Sequence, residues 1–234
     1  MPSWVRLVRR FLADSLPDAG QLVVLSAERS HHLLRVTGIG PGESVELFDG
    51  KGVCCRAELV DLDEGLARLR VHERLDPAPT PASVHLMVAQ TRATVMDTVV
   101  RMATELGVEA VSVVHSERCV AKGNKRDRWL RIAESAAAQS GRAAVPTIRG
   151  PQPLMLALQS VTGPRIICVP GVPSSRVAGE GITILLGPEG GFSEAEVASA
   201  IRCGWEPVGL GSTVLRADTA AVAAVVQYGQ VKSS

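Results

Sequence analysis

The chain has 234 residues, of which 46% are hydrophobic and 21% charged, and its formal net charge is +1. This composition excludes a disordered chain, and the charge excludes a global basic field for capturing nucleic acid. No apolar run reaches the roughly 18 residues of a membrane span. Residues 1–14 mix Arg6, Arg9 and Arg10 with Trp4, Leu7 and Phe11 and carry no export signal, so a cytoplasmic protein is expected.

The first part of the chain reads as β-rich. Strands are predicted at residues 21–25 (QLVVL), 44–48 (SVELF), 52–60 (GVCCRAELV) and 66–72 (LARLRVH). Turn sequences at 40–42, 49–50 and 63–65 separate the last three. Ser26 is placed to cap a short helix over about residues 27–36. A small barrel carrying one helix would close such a set. Residues 76–81 (DPAPTP) hold three prolines and read as a linker to a second, larger domain.

Beyond the linker, strands and helices alternate. Residues 84–90 (VHLMVAQ) form a buried strand, followed by a helix with Val95, Val99, Met102, Ala103 and Leu106 on one face and Gly107 as its stop. A strand at 111–114 precedes a helix marked by Trp129, Ile132, Ala133, Ala136, Ala137 and Ser140. Further strands fall at 166–169, 182–186 and 207–210, and a closing helix at about 218–230. This alternation predicts an α/β sheet that is mostly parallel.

Two segments carry the chemistry. In residues 184–197 (ILLGPEGGFSEAEV) an apolar strand runs into glycines, and Ser193 and Glu196 then stand in capping-box relation at a helix start. In residues 208–224 (VGLGSTVLRADTAAVAA) a strand again ends in glycines, and Arg216 and Asp218 flank the next helix. The first segment is neither a Walker nor a GxGxxG loop, and a plain strand-to-helix turn fits it as well as a ligand loop does. An arginine at a helix N-terminus opposes the macrodipole, although an ion pair to Asp218 or Glu189 would account for it structurally. Paired glycine loops at the carboxyl ends of strands are where open α/β sheets bind ligands.

Other residue classes point to little further chemistry. Cys54, Cys55, Cys119, Cys168 and Cys203 form no CxxC pair and read as reduced core residues. His31 and His32 are adjacent on a helix, which is not metal-ligand spacing, and no metal is expected. Arg118, Lys122, Lys125, Arg126, Arg128 and Arg131 crowd one stretch against Asp127 alone. That run is either a solvated helix face or a local phosphate-binding patch.

These segments together resemble the SPOUT methyltransferases, most of all the ribosomal RNA small subunit methyltransferase E family. GPEGGF at 187–192, LGSTVLRADTA at 210–220 and AAAQSGR at 136–142 carry the likeness. ATELGV at 103–108, Ser116-Glu117-Arg118, and the opening elements HHLLRV at 31–36, Gly42-Glu43 and Phe48-Asp49-Gly50 extend it over nearly the whole chain. The chain departs from the family in Asp218 where a glutamate is usual, in Met102 where a lysine is usual, and in residues 91–96, which lack a basic glycine-containing turn.

The resemblance implies a PUA-like β-barrel RNA-binding domain over 1–75, the linker 76–81, and an α/β SPOUT methyltransferase domain with a C-terminal trefoil knot over 82–234. It implies a homodimer that uses S-adenosylmethionine to methylate a uridine N3 in 16S ribosomal RNA. Cofactor binding is expected from Leu186, Gly187, Pro188, Glu189, Gly190, Gly191, Leu210, Gly211, Ser212, Val214 and Leu215. Arg216 and Asp218 are the expected catalytic residues, and RNA contacts are expected from Arg10, His32, Arg35, Arg118, Lys125, Arg126 and Arg142. Two alternatives stay open: a SPOUT enzyme with another target, such as a ribose hydroxyl, and a non-catalytic RNA-binding or ribosome-assembly protein that kept the fold.

Overall fold

The computed structural model describes residues 9–76, 83–174 and 181–229. All of the expected linker after Asp76 lies outside the described residues. The chain divides into two compact units. Among the described residues, one comprises 9–76 with 137–145, and the other 83–136 with 146–229.

The first unit is built on five strands: β1 (Arg10–Leu12), β2 (Leu22–Val24), β3 (Ser44–Phe48), β4 (Cys54–Asp63) and β5 (Leu66–Leu75). Their order is β1-β3-β4-β5-β2. β1 runs parallel to β3 and the other pairs are antiparallel. Alternation sets the core: Val45 and Leu47, Ala57 and Leu59, and Ala67, Leu69 and Val71 are fully buried on one face. The β4–β5 hairpin turns at Glu64 and Gly65, both with positive φ, the geometry of a two-residue type I′ turn.

The expected barrel is not closed in its strand pairing. Among the described residues β1 and β2 do not pair with each other. Each is three residues long, too short to supply the staggered ladder that closure needs. The expected helix at 27–36 begins as α1 (Ala27–His31), with Ser26 accepting from the Arg29 N–H, and continues as a π-helical turn, His32–Val36. Ser30 is buried yet satisfied, since its hydroxyl donates to Leu25 O and accepts from Ala67 N–H.

The second unit contains six strands, all parallel: β6 (Val84–Ala89), β7 (Ala110–His115), β8 (Thr147–Pro153), β9 (Arg165–Cys168), β10 (Ile182–Leu186) and β11 (Glu206–Val208). Their order is β11-β9-β10-β6-β7-β8. The helices are α2 (Ala93–Glu105), α3 (Arg126–Ser140), α4 (Leu154–Ser160), α5 (Glu194–Arg202) and α6 (Ala217–Tyr228). Every residue of β10 is buried, as expected for a central parallel strand covered on both faces. Met87, Leu158, Ile167, Leu185 and Trp205 belong to one core cluster. α6, apolar nearly all round, packs against α2, β6 and β10. No described helix is long and apolar enough to cross a membrane.

This order locates a binding crevice. The chain starts in the middle of the sheet at β6, moves outward through β7 to β8, then crosses to the other side for β9. The direction of winding reverses where β10 meets β6, and ligands of open α/β sheets sit beyond the carboxyl ends of strands at such a point.

Candidate functional site

Three loops leave the carboxyl ends of β9, β10 and β11 side by side. The loop after β10 contains Gly187-Pro188-Glu189-Gly190-Gly191, and Gly191 N–H donates to Pro188 O at 2.8 Å to close its turn. α5 then starts at a complete capping box. Ser193 Oγ accepts from Glu196 N–H at 3.3 Å, and Glu196 Oε2 accepts from Ser193 N–H at 2.9 Å.

The loop after β11 passes close to the loop after β9. Gly209 N–H donates to Pro173 O at 3.2 Å, and a Cβ on Gly209 would lie 1.8 Å from Val172 O, so only glycine fits there. α6 then begins with Arg216 at its N-cap position, where its side chain makes no capping hydrogen bond.

These loops enclose a cavity of about 650 Å³. Its wall includes Leu186, Gly187, Pro188, Glu189, Gly190 and Gly191 from the first expected segment, and Leu210, Gly211, Val214, Leu215, Arg216 and Asp218 from the second. Two stretches separated in sequence thus meet at one site. Ser212, also expected there, is not part of the wall.

Sequence reasoning missed Cys168, Val169 and Pro170 at the end of β9, together with Arg92, Val95, Phe192 and Thr213. The end of β9 was readable as a strand terminus. Its place beside β10 depends on strand order, which no local pattern carries.

Charge in the cavity is mixed: Arg92, Arg118 and Arg216 face Glu189 and Asp218. Arg92 Nε lies 3.4 Å from Glu189 Oε1, and Arg216 Nε lies 3.9 Å from Asp218 Oδ1. Asp218 Oδ1 also accepts from Thr219 N–H at 2.9 Å. Burial pushes the Cys168 thiol up to about 12, so at neutral pH it is a protonated wall residue and not a thiolate nucleophile. Among the described residues no group of three or more His, Cys, Asp or Glu is arranged to hold a metal ion.

The expected RNA contacts are dispersed. Arg118 reaches the cavity wall, where its Nη1 donates to Gly190 O at 2.9 Å. Lys125 is exposed, and Arg126 donates through Nε to Ile148 O at 2.9 Å. In the first unit, His32 and Arg35 are exposed on the π-helical turn. Arg10 is mostly buried, ion-paired to Glu46 at 3.3 Å and stacked over Phe48. Arg142 is half-buried, and that burial lowers its pKa. Arg10 and Arg142 are therefore held within the fold more than presented to a partner.

A parallel sheet with a cavity at its reversal point is a ligand-binding α/β fold, and comparison with known families gives its class as an RNA methyltransferase domain with a PUA domain. The RNA methyltransferase domain family matches residues 78–228, and the RNA methyltransferase PUA domain matches residues 25–71. Ribosomal RNA small subunit methyltransferase E from Synechocystis is 32% identical, over 91% of this chain and 74% of its own. The protein of that name from Mycobacterium bovis is 31% identical, over 95% and 92%. The chain belongs to the ribosomal RNA small subunit methyltransferase E family. Two solved structures are alike throughout. The Neisseria gonorrhoeae enzyme of that name, bound to S-adenosyl methionine, has a TM-score of 0.87 at 30% identity, covering 94% of this chain and 96% of its own. A Legionella pneumophila methyltransferase with bound SAM has a TM-score of 0.89 at 28% identity, covering 95% and 97%.

Proposed function

We propose that this protein methylates a uridine ring N3 in 16S ribosomal RNA of the small subunit, with S-adenosylmethionine as methyl donor. The observation that carries this reading is the convergence of both glycine loops, Arg216 and Asp218 on one cavity. Family membership and the cofactor-bound relatives support the donor and the substrate class.

The cavity residues fit the donor. A volume of about 650 Å³ suits a ligand of this size. Leu186, Val169, Leu210 and Leu215 offer apolar walls for a flat base, the glycine loops offer backbone donors and acceptors for its edge, and Glu189 is an anion suited to an amino group. When bound, S-adenosylmethionine supplies an electrophilic methyl group.

The remaining chemistry belongs to the protein. Uracil N3 carries a proton at neutral pH, so its attack requires removing or offsetting that proton. Arg216 stabilises the negative charge that develops on the uracil oxygens. Asp218 orients Arg216 or takes the N3 proton. The loops hold the reactants in register, which supplies much of the acceleration. N3 lies on the pairing edge, so the target base enters unpaired or extruded. Exposed His32, Arg35 and Lys125, with Arg126, contact the RNA, and the small β unit acts as the RNA-binding domain.

The C-terminal segment forms a trefoil knot in this reading. Support comes from the passage of Gly209 against Val172 and Pro173 and from the return of α6 onto β6 and β10. A second copy completes the active site in a homodimer, consistent with the wide exposure of Val214 at the cavity mouth. The enzyme works in the cytoplasm, where ribosomal RNA is modified. Nucleoside mass spectrometry of 16S RNA from a deletion strain tests the assignment. Incubation with enzyme and S-adenosylmethionine is expected to restore 3-methyluridine, whereas methylation at a ribose hydroxyl, or none, would remove it.

A further inference from the structure

The loop after β10 is gripped from two neighbouring loops. From the loop after β6, Arg92 pairs with Glu189 at 3.4 Å. From the loop after β7, Arg118 Nη1 donates to Gly190 O at 2.9 Å. The stem of Arg118 lies along the same glycine, since a Cβ on Gly190 would stand 3.5 Å from Arg118 Cβ and 3.6 Å from its Cδ.

Arg118 is itself held in place. The neighbouring Glu117 N–H donates to Glu196 Oε1 at 2.8 Å, and the other oxygen of that carboxylate caps α5 through Ser193 N–H. Cys119 N–H donates to Ser116 O at 3.2 Å, closing the turn that carries Arg118. One carboxylate therefore ties the start of α5 to this turn, and the arginine on the turn reaches back to the glycine loop.

We propose that Arg118 is a positioning residue for the cofactor-binding loop 187–191, not a phosphate anchor, and that Glu196 fixes the turn that carries it. Arg118 is exposed, so the assignment rests on where its side chain is directed and not on burial. Here the head engages a loop carbonyl and the stem covers the loop backbone. The inference rests on reading this cavity as the S-adenosylmethionine site.

Two measurements test it. Hydrogen exchange at Gly191, whose N–H is bonded to Pro188 O, reports loop order in the free protein. Calorimetric titration with S-adenosylhomocysteine reports the consequence for binding. Arg118→Ala is expected to speed Gly191 exchange and weaken the titration, each by on the order of tenfold, the size expected for one charged hydrogen bond. Arg118→Lys recovers part of both, because an ammonium reaches a carbonyl without the planar fork. The salt slope of RNA binding stays at its wild-type value. Glu196→Gln, which keeps the Arg118 side chain but weakens the tie to Glu117 that positions its turn, shifts exchange in the same direction by less and covers the case in which Arg118→Ala does not fold. Wild-type exchange and affinity in Arg118→Ala would overturn the proposal, as would a salt slope reduced by about one with the loop unaffected. A wild-type protein that binds no cofactor would instead sink the proposed function, while the exchange measurement still decides the role of Arg118.

Discussion

Arg216 and Asp218 stand two residues apart at the start of α6, with Arg216 Nε 3.9 Å from Asp218 Oδ1, and they differ sharply in exposure. The arginine side chain is 78% exposed and the aspartate 26%. The aspartate suits its place, since an anion in a first helical turn meets the positive end of the macrodipole. The arginine opposes that field and gains little from a long, exposed ion pair. A cation held at a cavity mouth against its local electrostatics is free to serve a ligand.

That relationship sets the first prediction. Arg216→Ala should lose methyl transfer by a factor on the order of 100 or more, the usual effect of removing an oxyanion donor. Cofactor affinity should hardly move. Arg216→Lys should recover only part of the rate. Asp218→Glu should be tolerated and Asp218→Asn impaired, because either role of Asp218 needs its carboxylate. Single-turnover transfer near the wild-type rate in Arg216→Ala would leave positioning as the main source of rate.

The glycines of the two loops should respond differently to alanine. Gly211 has φ +135, a conformation that side-chain-bearing residues rarely adopt, although nothing lies within 4 Å of the Cβ position. Gly190 has ordinary φ, and its Cβ would make normal contact with Arg118. Gly211→Ala should therefore weaken cofactor binding by strain alone, on the order of tenfold. Gly190→Ala should be mild and Gly190→Val severe, because the larger side chain must displace the stem of Arg118. Equal affinities for the two alanine variants in calorimetry would contradict this.

Much of the sheet could be read from the sequence, because short apolar runs alternating with helical patterns mark buried parallel strands. β10 coincides with its expected range, 182–186, and α5 begins at the capping box read from Ser193 and Glu196. β8 escaped because Gly150-Pro151 argues against a strand. The glycine is needed there: a Cβ at 150 would lie 2.3 Å from Val113 O on the neighbouring strand. α4 follows with no capping side chain, and β1 is a three-residue edge hidden in a mixed segment. The glycine loops of the site were visible as breaks in pattern. Its third wall at Cys168 was not, because adjacency of β9 and β10 is a property of topology.

RNA binding should separate Lys125 from Arg126. Lys125 is exposed, whereas Arg126 also holds Ile148 O. Lys125→Ala should reduce the slope of log affinity against log salt by about one and leave cofactor affinity unchanged. Arg126→Ala should in addition lower the unfolding midpoint, since it removes the hydrogen bond to Ile148 O. An unchanged slope in Lys125→Ala would remove that residue from the RNA interface.

The last prediction concerns pH and lies away from the cavity. His85 sits at the amino end of β6, with its Nε2 2.7 Å from Ser112 Oγ. Burial, then the nearby Arg149 charge, lower its pKa from 6.5 to about 4, against an opposing pull from Glu109. Glu109 is itself engaged, accepting a hydrogen bond from the Ser83 hydroxyl. In the folded protein His85 stays neutral down to about pH 4, whereas in the unfolded chain it takes a proton below about pH 6.5. Between those values the unfolded state binds more protons, so stability falls as pH falls. At roughly 1.4 kcal/mol for each pH unit between the unfolded and folded values, the full loss is about 3 kcal/mol. Above pH 6.5 the group contributes no pH dependence. Urea unfolding of wild type and His85→Gln at pH 7 and pH 4.5 isolates this contribution from the carboxylates that titrate in the same range. Glutamine keeps a hydrogen-bonding group near Ser112 but does not ionise, so the variant should lose less stability on acidification. Parallel losses in the two proteins would mean that His85 does not set the acid limit.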